Sequence, residues 1–277
     1  MSVLNEKFKL INDYEIPKIG FGTWQIPDGA EAYQAVSDAL KVGYRHIDTA
    51  FVYKNEESVG KAIKDSDLDR KDIFITSKLP SRIKSYHETE EYFNMTLENL
   101  DIKYIDLYLI HAPWPWNEIG KDCRVGNAEA WKKMIELYNK KKIKAIGVSN
   151  FNVDDLKDLI KRTGFVPHVN QIPFFVGIYD KQKDLLKFCE KNNILVQAYS
   201  PLAIGKALKN QEVVDLSNKY SKTPAQILIK YCLQNNTLPL PKTLNISRMK
   251  ENSSLEFRIS DEDMMKLKKI NHDPRRS

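Results

Sequence analysis

The sequence has few cysteines and no long apolar segment. Cys123, Cys189 and Cys232 are the three cysteines among 277 residues. Their odd number and wide spacing, without a C-x-x-C pair, argue against a disulfide framework or a structural zinc site. No run of 18 apolar residues occurs, and the first residues lack the apolar stretch of an export signal. These absences predict a cytoplasmic protein that makes no use of a membrane.

Concentrated positive charge and nucleotide-binding fingerprints are also missing. Lys and Arg number 43 against 37 Asp and Glu, which gives a net charge of +6 that is scattered along the chain. Nucleic-acid-binding proteins concentrate basic residues in patches, so we expect no nucleic-acid partner, whereas an anionic small molecule fits this charge. Gly20-x-Gly22 is followed by Gln25 where G-x-G-x-x-G needs a third glycine, and no Walker A motif occurs.

What the chain does contain is a regular alternation of strand-like and helix-like segments. A first strand with its exit loop is expected at 20–24, and further strands are expected at 46–48, 73–78, 105–110, 143–148, 169–172, 195–199 and 238–241. Residues 8–10 and 14–17 predict a hairpin that serves as a lid or plug. One helix is expected over 128–140, and the helix after Tyr199 is expected to begin at Thr223.

These units favour a closed barrel over an open sheet. Roughly eight strand-helix units in a chain of this length predict an α/β fold of the (β/α)8 TIM barrel type with an N-terminal β-hairpin. We expect one domain over residues 1–277, because 42% hydrophobic composition can fill a core of that size. The alternative is an open doubly wound sheet, which usually carries the glycine fingerprint that is absent here.

Polar residues stand where consecutive strands end. Asp48, Lys78 and His111 end the second, third and fourth strands, and Tyr53 lies in the loop after Asp48. A barrel brings such ends around one mouth. Lys78 would lower the pKa of the Tyr53 hydroxyl from about 10 and Asp48 would hold Lys78, while His111 would donate a hydrogen bond to a carbonyl oxygen. This set predicts a site that protonates an oxygen as the carbonyl carbon is attacked.

Each of these residues, taken alone, could also have a different role. Asp48 could cap the following helix or pair with Arg45, and Tyr53 could simply pack. His46, Asp48 and His111 could be metal ligands of a hydrolase on the same barrel, because His46 and Asp48 face one side of their strand. Only five His residues occur and no bridging carboxylate set is visible, so we expect no metal.

Nearly end to end, the sequence resembles the aldo-keto reductases. The matching motifs are G-Y-R-H-I-D-T-A-F-V-Y-K-N-E at 43–56, I-T-S-K-L at 75–79, L-I-H-A-P at 109–113, I-G-V-S-N-F at 146–151, A-Y-S-P-L at 198–202 and L-P-K-T at 240–243. The resemblance is greatest to the bacterial, low-specificity branch of diketogluconate and glyoxal reductases. It implies NAD(P)H-dependent reduction of small carbonyl substrates by a monomer, with a catalytic tetrad of Asp48, Tyr53, Lys78 and His111.

The same resemblance implies where the cofactor binds. Ser149, Asn150 and Gln171 would hydrogen-bond the nicotinamide carboxamide, and Tyr199 would stack on its ring. Lys242 and Arg248 would clamp a 2′-phosphate, which makes NADPH the expected cofactor and NADH the less favoured one. The other expected cofactor contacts are Thr23, Trp24, Asp48, Ser200, Leu202, Thr243, Glu251 and Asn252. Alternatively, Ser149 and Asn150 could cap a helix, Tyr199 could be core, and the basic residues a solvated face.

Substrate contacts are expected from Trp24, Tyr53, His111 and Trp114. Many relatives carry Trp-Pro after the tetrad His, whereas here the sequence is A-P-W-P-W at 112–116. Trp116 is therefore a further candidate to line the substrate pocket, and so is Leu79. The tail after Asn271, H-D-P-R-R-S, is too short and polar to form a long apolar loop, so we expect broad substrate tolerance. The functional alternative is a nicotinamide-binding regulatory protein with little turnover.

Overall fold

A short hairpin closes one end of a barrel. In the computed structural model, which describes residues 2–276, β1 (Lys7–Lys9) pairs antiparallel with β2 (Glu15–Pro17). Leu10 and Ile16 are buried among apolar residues from the strands inside the barrel. The predicted hairpin is therefore a plug, and each of its strands lies within one residue of the expected range. Met1 and Ser277, the ends of the expected single domain, lie outside the described residues.

Eight parallel strands form the barrel wall. They are β3 (Phe21–Gly22), β4 (His46–Asp48), β5 (Phe74–Leu79), β6 (Ile105–Ile110), β7 (Ile143–Ser149), β8 (Val169–Pro173), β9 (Leu195–Tyr199) and β10 (Thr237–Leu240). The Gly20 and Gly22 amides donate hydrogen bonds to the Pro239 and Pro241 carbonyls at 3.1 and 3.0 Å. These bonds join the first strand to the last, which confirms the (β/α)8 barrel and excludes the open sheet.

Helices surround the barrel wall. They are α1 (Ala30–Val42), α2 (Glu56–Lys64), α3 (Tyr86–Leu100), α4 (Arg124–Asn139), α5 (Val153–Thr163), α6 (Tyr179–Lys191), α7 (Gln211–Tyr220), α8 (Pro224–Gln234), α9 (Ile246–Ser253) and α10 (Asp261–Lys269). Within residues 2–276, none of them combines the length and apolar composition needed to cross a bilayer.

The helix predictions differ from the structure in two places. α4 begins at Arg124 rather than at residue 128, because its first turn carries no apolar stripe to mark the start. α7 is a helix that the sequence pattern does not predict. Its N-cap, Asn210, accepts a hydrogen bond from the Val213 amide, yet the helix buries only one face of a ten-residue segment. The start of α8 is as predicted, with Thr223 in a capping box.

The alternation of side chains along the strands places an apolar cluster inside the barrel and polar side chains above it. Successive side chains of a strand point to opposite faces, so Phe74 and Lys78 share the inner face of β5, and Leu107, Leu109 and His111 share that of β6. Phe74, Leu107 and Leu109 belong to the interior apolar cluster that the hairpin seals. Lys78 and His111 therefore sit one layer above that cluster, at the C-terminal ends of the strands.

The close packing at the start of β3 explains the glycine at position 20. A Cβ atom built on Gly20 would lie 2.5 Å from Leu240 Cδ2 and 2.7 Å from His46 Nδ1. Contacts this short would force the Leu240 and His46 side chains to shift, so glycine is favoured where the chain passes over His46 as it enters β3. The Gly20-x-Gly22 pair is thus a feature of barrel closure rather than part of a phosphate-binding fingerprint.

A buried carboxyl group joins α2 to the wall just behind Lys78. Glu56 is 2% exposed and accepts hydrogen bonds from Ser77 Oγ at 2.6 Å and Asn99 Nδ2 at 3.0 Å. Burial raises the pKa of Glu56 from 4.5 to about 7, with these hydrogen bonds and the charge of Lys78 acting in the opposite direction. The folded protein therefore binds this proton more tightly than the unfolded chain does.

We predict that Glu56→Gln removes a pH dependence of stability. Because the folded-state pKa is raised, the wild-type free energy of unfolding should fall as pH rises from 4.5 to 7, by an amount on the order of 3 kcal/mol. Gln keeps an acceptor for Asn99 and stays neutral, so its stability should change less over this range. Urea unfolding of both proteins at pH 5 and pH 8 measures the difference, and parallel pH curves for the two would contradict it.

Candidate active site

A cavity of about 750 Å³ opens at the C-terminal ends of the barrel strands. The predicted site residues that line it are Trp24, Asp48, Tyr53, His111, Ser149, Asn150, Gln171, Tyr199, Ser200, Leu202, Lys242 and Arg248. They come from loops and strand ends spread over more than 200 positions of sequence. Barrel closure brings these separate segments together at one mouth.

Lys78 lies beneath the cavity floor and connects two of its polar groups. Its Nζ donates to Asp48 Oδ1 at 2.7 Å, to the Thr49 carbonyl at 2.8 Å and to the Tyr53 hydroxyl at 3.3 Å, and the side chain is fully buried. Burial alone disfavours the ammonium, but Asp48 and then Tyr53 outweigh it and raise the pKa of Lys78 above its ordinary value. Lys78 is therefore a fixed positive charge next to the phenol.

Asp48 is held on both of its oxygens. Gln171 Nε2 donates to Asp48 Oδ2 at 2.7 Å and to Gln197 Oε1 at 2.8 Å. Arg45 instead donates to the carbonyls of Leu40 and Tyr44, so the alternative Asp48–Arg45 pair does not form. Gln197 is not among the predicted site residues. It lies two residues before Tyr199 on β9, so its side chain points to the same face of the strand as that of Tyr199.

The pKa of Tyr53 shifts in the direction opposite to the expected one. Desolvation raises the pKa of the Tyr53 hydroxyl above its ordinary value, while Lys78 lowers it and Asp48 raises it further. The expected lowering of this pKa is wrong, because it considers the charge of Lys78 without the burial of the phenol. A raised pKa keeps Tyr53 protonated at neutral pH, as a proton donor requires. Lys78 still stabilises the phenolate that remains once the proton has left.

His111 lies beside Tyr53 as a neutral ring. The ring centroids are 5.7 Å apart in an edge-to-face arrangement. Burial, and then the charge of Lys78, lowers the pKa of His111 well below its ordinary value. A neutral imidazole carries one N–H donor, so His111 can donate a hydrogen bond to an oxygen in the cavity without titrating near pH 6.

Of the two loop tryptophans that the sequence offers as candidates, Trp116 lines the cavity and Trp114 does not. Trp116 lines the cavity and lies edge-on to His111 at 5.8 Å, whereas Trp114 packs on Trp116 at 5.0 Å and does not line the cavity. Trp24 also lines the wall and is 45% exposed, and Leu79 is fully buried away from it. Spacing alone could not distinguish the two loop tryptophans, because the loop's path determines which indole turns inward.

Side-chain amides form one wall of the cavity. Asn150, in a left-handed conformation with φ 63°, donates from Nδ2 to the His111 carbonyl and to Ser149 Oγ, both at 3.0 Å. The Tyr199 hydroxyl donates to Asn150 Oδ1 at 2.9 Å. The N-cap of α5 is Asn152, so helix capping does not account for Ser149 and Asn150. The wall combines hydrogen-bonding groups with the aromatic ring of Tyr199.

The far end of the cavity is cationic. Lys242 and Arg248 line it and also line an adjoining cavity of about 430 Å³ together with Thr243. In the described part of the chain, neither basic side chain has an ion-pair partner. Both side chains are exposed. Arg248 lies in the first turn of α9, where the amide dipoles also favour an anion, and Lys242 lies in the loop before that helix.

Three predicted cofactor residues line neither of the two cavities. Thr23 is buried, and its Oγ1 donates to the Asp48 carbonyl at 3.1 Å. Glu251 Oε1 accepts from Thr223 Oγ1 at 2.7 Å, and Asn252 is buried. Contact of Glu251 and Asn252 with an adenine stays a prediction.

Metal ligands are not assembled in this site. Over residues 2–276, no group of three or more His, Cys, Asp or Glu side chains is placed to hold a metal ion. His46 Nε2 hydrogen-bonds Thr76 Oγ1 at 2.9 Å, and the Asp48 oxygens face Lys78 and Gln171. The geometry gives the metal-dependent hydrolase alternative no ligand set.

Known proteins are similar to this chain in sequence and in fold. A model described as the Aldo/keto reductase family matches residues 18–272. Glyoxal reductase of Bacillus subtilis is 39% identical over 273 residues, covering 98% of this chain and 95% of its own length. Glycerol 2-dehydrogenase (NADP(+)) of Saccharomyces cerevisiae is 38% identical, covering 92% and 88%. The crystal structure of an aldo/keto reductase from Brucella melitensis superposes with a TM-score of 0.89 at 38% identity, covering 96% and 97%.

We predict that the Asp48–Lys78 pair is strongly coupled in stability. Asp48→Asn leaves a buried ammonium without an anion and should lower the free energy of unfolding by about 3 to 5 kcal/mol. Adding Lys78→Met removes the orphaned charge, so the double variant should recover much of that loss. Urea unfolding measures both. Asp158→Asn, which breaks the exposed pair with Arg162, is the control and should cost about 1 kcal/mol or less. No recovery in the double variant would contradict the prediction.

Proposed function

The chain belongs to the aldo/keto reductase family and is an NAD(P)H-dependent oxidoreductase, and from this premise we propose the reaction and its acid. It reduces small aldehydes and ketones to alcohols with NADPH, and Tyr53 is the general acid. The observation that carries the proposal is the contact of Lys78 Nζ with both Asp48 and the Tyr53 hydroxyl under the cavity floor.

The lining of the cavity fits a dinucleotide phosphate. Lys242 and Arg248, which have no ion-pair partner among residues 2–276, line the cavity together with the Asn150 and Gln171 amides and the Tyr199 ring. When bound, reduced nicotinamide supplies the hydride that adds to the carbonyl carbon. These two basic side chains favour a ligand with an additional phosphate, so NADPH is the proposed cofactor. The residues that would address its carboxamide are Ser149, Asn150 and Gln171.

Side chains of the protein supply the proton and stabilise the group that donates it. Tyr53 donates its hydroxyl proton to the carbonyl oxygen as negative charge develops there, and Lys78 stabilises the phenolate left behind. Asp48 keeps Lys78 charged and in place. His111 donates a hydrogen bond to the same oxygen and orients it. Positioned acid catalysis of this kind contributes about 10²- to 10⁴-fold in rate, and alignment of the reactants contributes several kcal/mol more.

The walls of the cavity support broad tolerance for small carbonyl substrates. Trp24, Val52 and Trp116 are partly exposed apolar side chains at its rim. Flat apolar walls hold many small aldehydes without selecting one of them. The name of the Bacillus relative makes glyoxal-type aldehydes the first substrates to assay. The cytoplasmic location and the monomeric state stay predictions, and no observation favours the regulatory alternative with little turnover.

We predict that Tyr53→Phe lowers kcat for aldehyde reduction by about 10²- to 10⁴-fold, because the proton donor is removed. NADPH affinity, followed by fluorescence titration, should change little. Wild-type kcat/KM should stay level from pH 6 to 9, since the pKa of Tyr53 is raised and that of His111 is lowered. Tyr33→Phe, which loses a hydroxyl that donates to Asp65 on the helical exterior, is the control. Full activity in the Tyr53 variant would reassign the acid.

We predict that Lys242→Ala and Arg248→Ala each raise the Kd for NADPH by about 10- to 100-fold, because each removes a charge-assisted contact with the phosphate. The Kd for NADH should change far less. Lys250→Ala, an exposed lysine of the same helix outside the cavity lining, is the matched control. Equal losses for both cofactors would remove the phosphate-binding role.

A further inference from the structure

The C-terminal tail contributes a fixed arginine to the cavity. The loop after β8 packs closely on this tail, since a Cβ atom built on Gly177 would lie 2.3 Å from the His272 carbonyl oxygen and 3.0 Å from Pro274 Cδ. The close approach fixes the backbone just before Arg275, which lines the cavity.

The guanidinium of Arg275 is held on one edge and one face. Its Nε and Nη2 donate to Asp273 Oδ1 and Oδ2 at 3.1 and 3.0 Å, and its central carbon lies 4.6 Å from the centroid of the buried Phe175 ring. Asp273 is almost fully buried, whereas 30% of the Arg275 side chain is exposed. The carboxylate thus anchors the arginine from behind.

Part of this guanidinium is left available for a ligand. Guanidinium has five N–H donors, and the contacts with Asp273 use one on Nε and one on Nη2. Over the described residues, no hydrogen bond engages Nη1. The remaining edge, formed by Nη1 and the second N–H of Nη2, has the geometry that binds a carboxylate through two parallel hydrogen bonds. Since Asp273 and Phe175 already restrict the rotamer, little side-chain entropy is lost on binding.

The charges around the cavity also favour an anion near Arg275. Among the described residues that line the cavity, Asp48 is the only acid, and it is already paired with Lys78. Lys242 and Arg248 belong to the proposed phosphate end. Burial raises the pKa of Tyr199 to about 12, and Arg275 opposes that rise, so its charge acts at the wall where the nicotinamide is proposed to bind.

We propose that Arg275 is a substrate-binding residue that selects carbonyl compounds carrying a carboxylate. This rests on the proposed carbonyl reduction and narrows it to a chemical class, the oxo acids and carboxy-aldehydes. The carboxylate binds the free edge of the guanidinium while the carbonyl oxygen reaches Tyr53 and His111. Neutral aldehydes of similar size occupy the same cavity without this contact.

The test compares two aldehydes of nearly equal shape. 4-Carboxybenzaldehyde carries the anion, and 4-nitrobenzaldehyde carries a neutral planar group in its place. In Arg275→Met we expect kcat/KM for the carboxylate to fall about 10- to 100-fold, mainly through KM, with the nitro compound changing by about twofold or less. Arg275→Lys should retain part of the preference. Arg162→Met, at the end of α5 and paired with Asp158, is the matched control.

Binding without turnover gives an independent measurement. Calorimetry on the protein saturated with NADP+ should find benzoate binding in the wild type and a large loss in Arg275→Met, while benzamide binds both alike. Equal losses of kcat/KM for both aldehydes in Arg275→Met would overturn the proposal and leave Arg275 as an anchor of the tail. A loss of NADPH affinity with an unchanged preference for the carboxylate over the nitro compound would also overturn it and leave Arg275 as a cofactor contact. Reduction of neither aldehyde by the wild type would defeat the proposed function, and the benzoate titration would still decide whether Arg275 binds a carboxylate.

Discussion

The buried ion pair of Lys78 and Asp48 constrains the whole cavity floor. An ammonium enclosed in the barrel is stable only next to an anion, and Asp48 in turn needs donors on both oxygens. Gln171 supplies the second donor from the opposite side of the barrel, and Gln197 holds Gln171. A chain of polar contacts therefore crosses the barrel just above its apolar interior. Its arrangement fixes the charge that faces the Tyr53 hydroxyl.

The rim above this floor stores strain where ligands would bind. Asn150, Ser200, Ala203 and Ile204 all have left-handed backbone conformations. For Ile204, which is β-branched, 62% exposed and part of the cavity lining, that conformation is costly. Strain of this kind persists when surrounding contacts enforce it. The apolar barrel interior and the hairpin plug provide a rigid base on which such loops can be held.

Two differences between expectation and structure have one physical origin. The charge of Lys78 predicts a lowered pKa for Tyr53, but the phenol is also desolvated and that effect is larger. The loop sequence offers both Trp114 and Trp116 as pocket residues and favours Trp114 as a substrate contact, but the path of the loop turns Trp116 toward His111 and the cavity. Desolvation and loop path both depend on how distant segments pack. Neither can be read from the spacing of residues along the chain.

Local patterns in the chain were enough to predict the fold and the chemical character of the strand ends. The alternation of strand and helix periods is a local property of the chain, and its eight repeats predict a barrel. Asp48, Lys78 and His111 are recognisable as site residues because they stand at the ends of buried strands. The resemblance in separate motifs added the cofactor residues. The packed barrel was needed to find Gln197 beside Gln171, and Arg275 against Asp273 and Phe175. These contacts join residues from different strands and loops, and burial, distance and the direction of a pKa exist only once those segments have packed together.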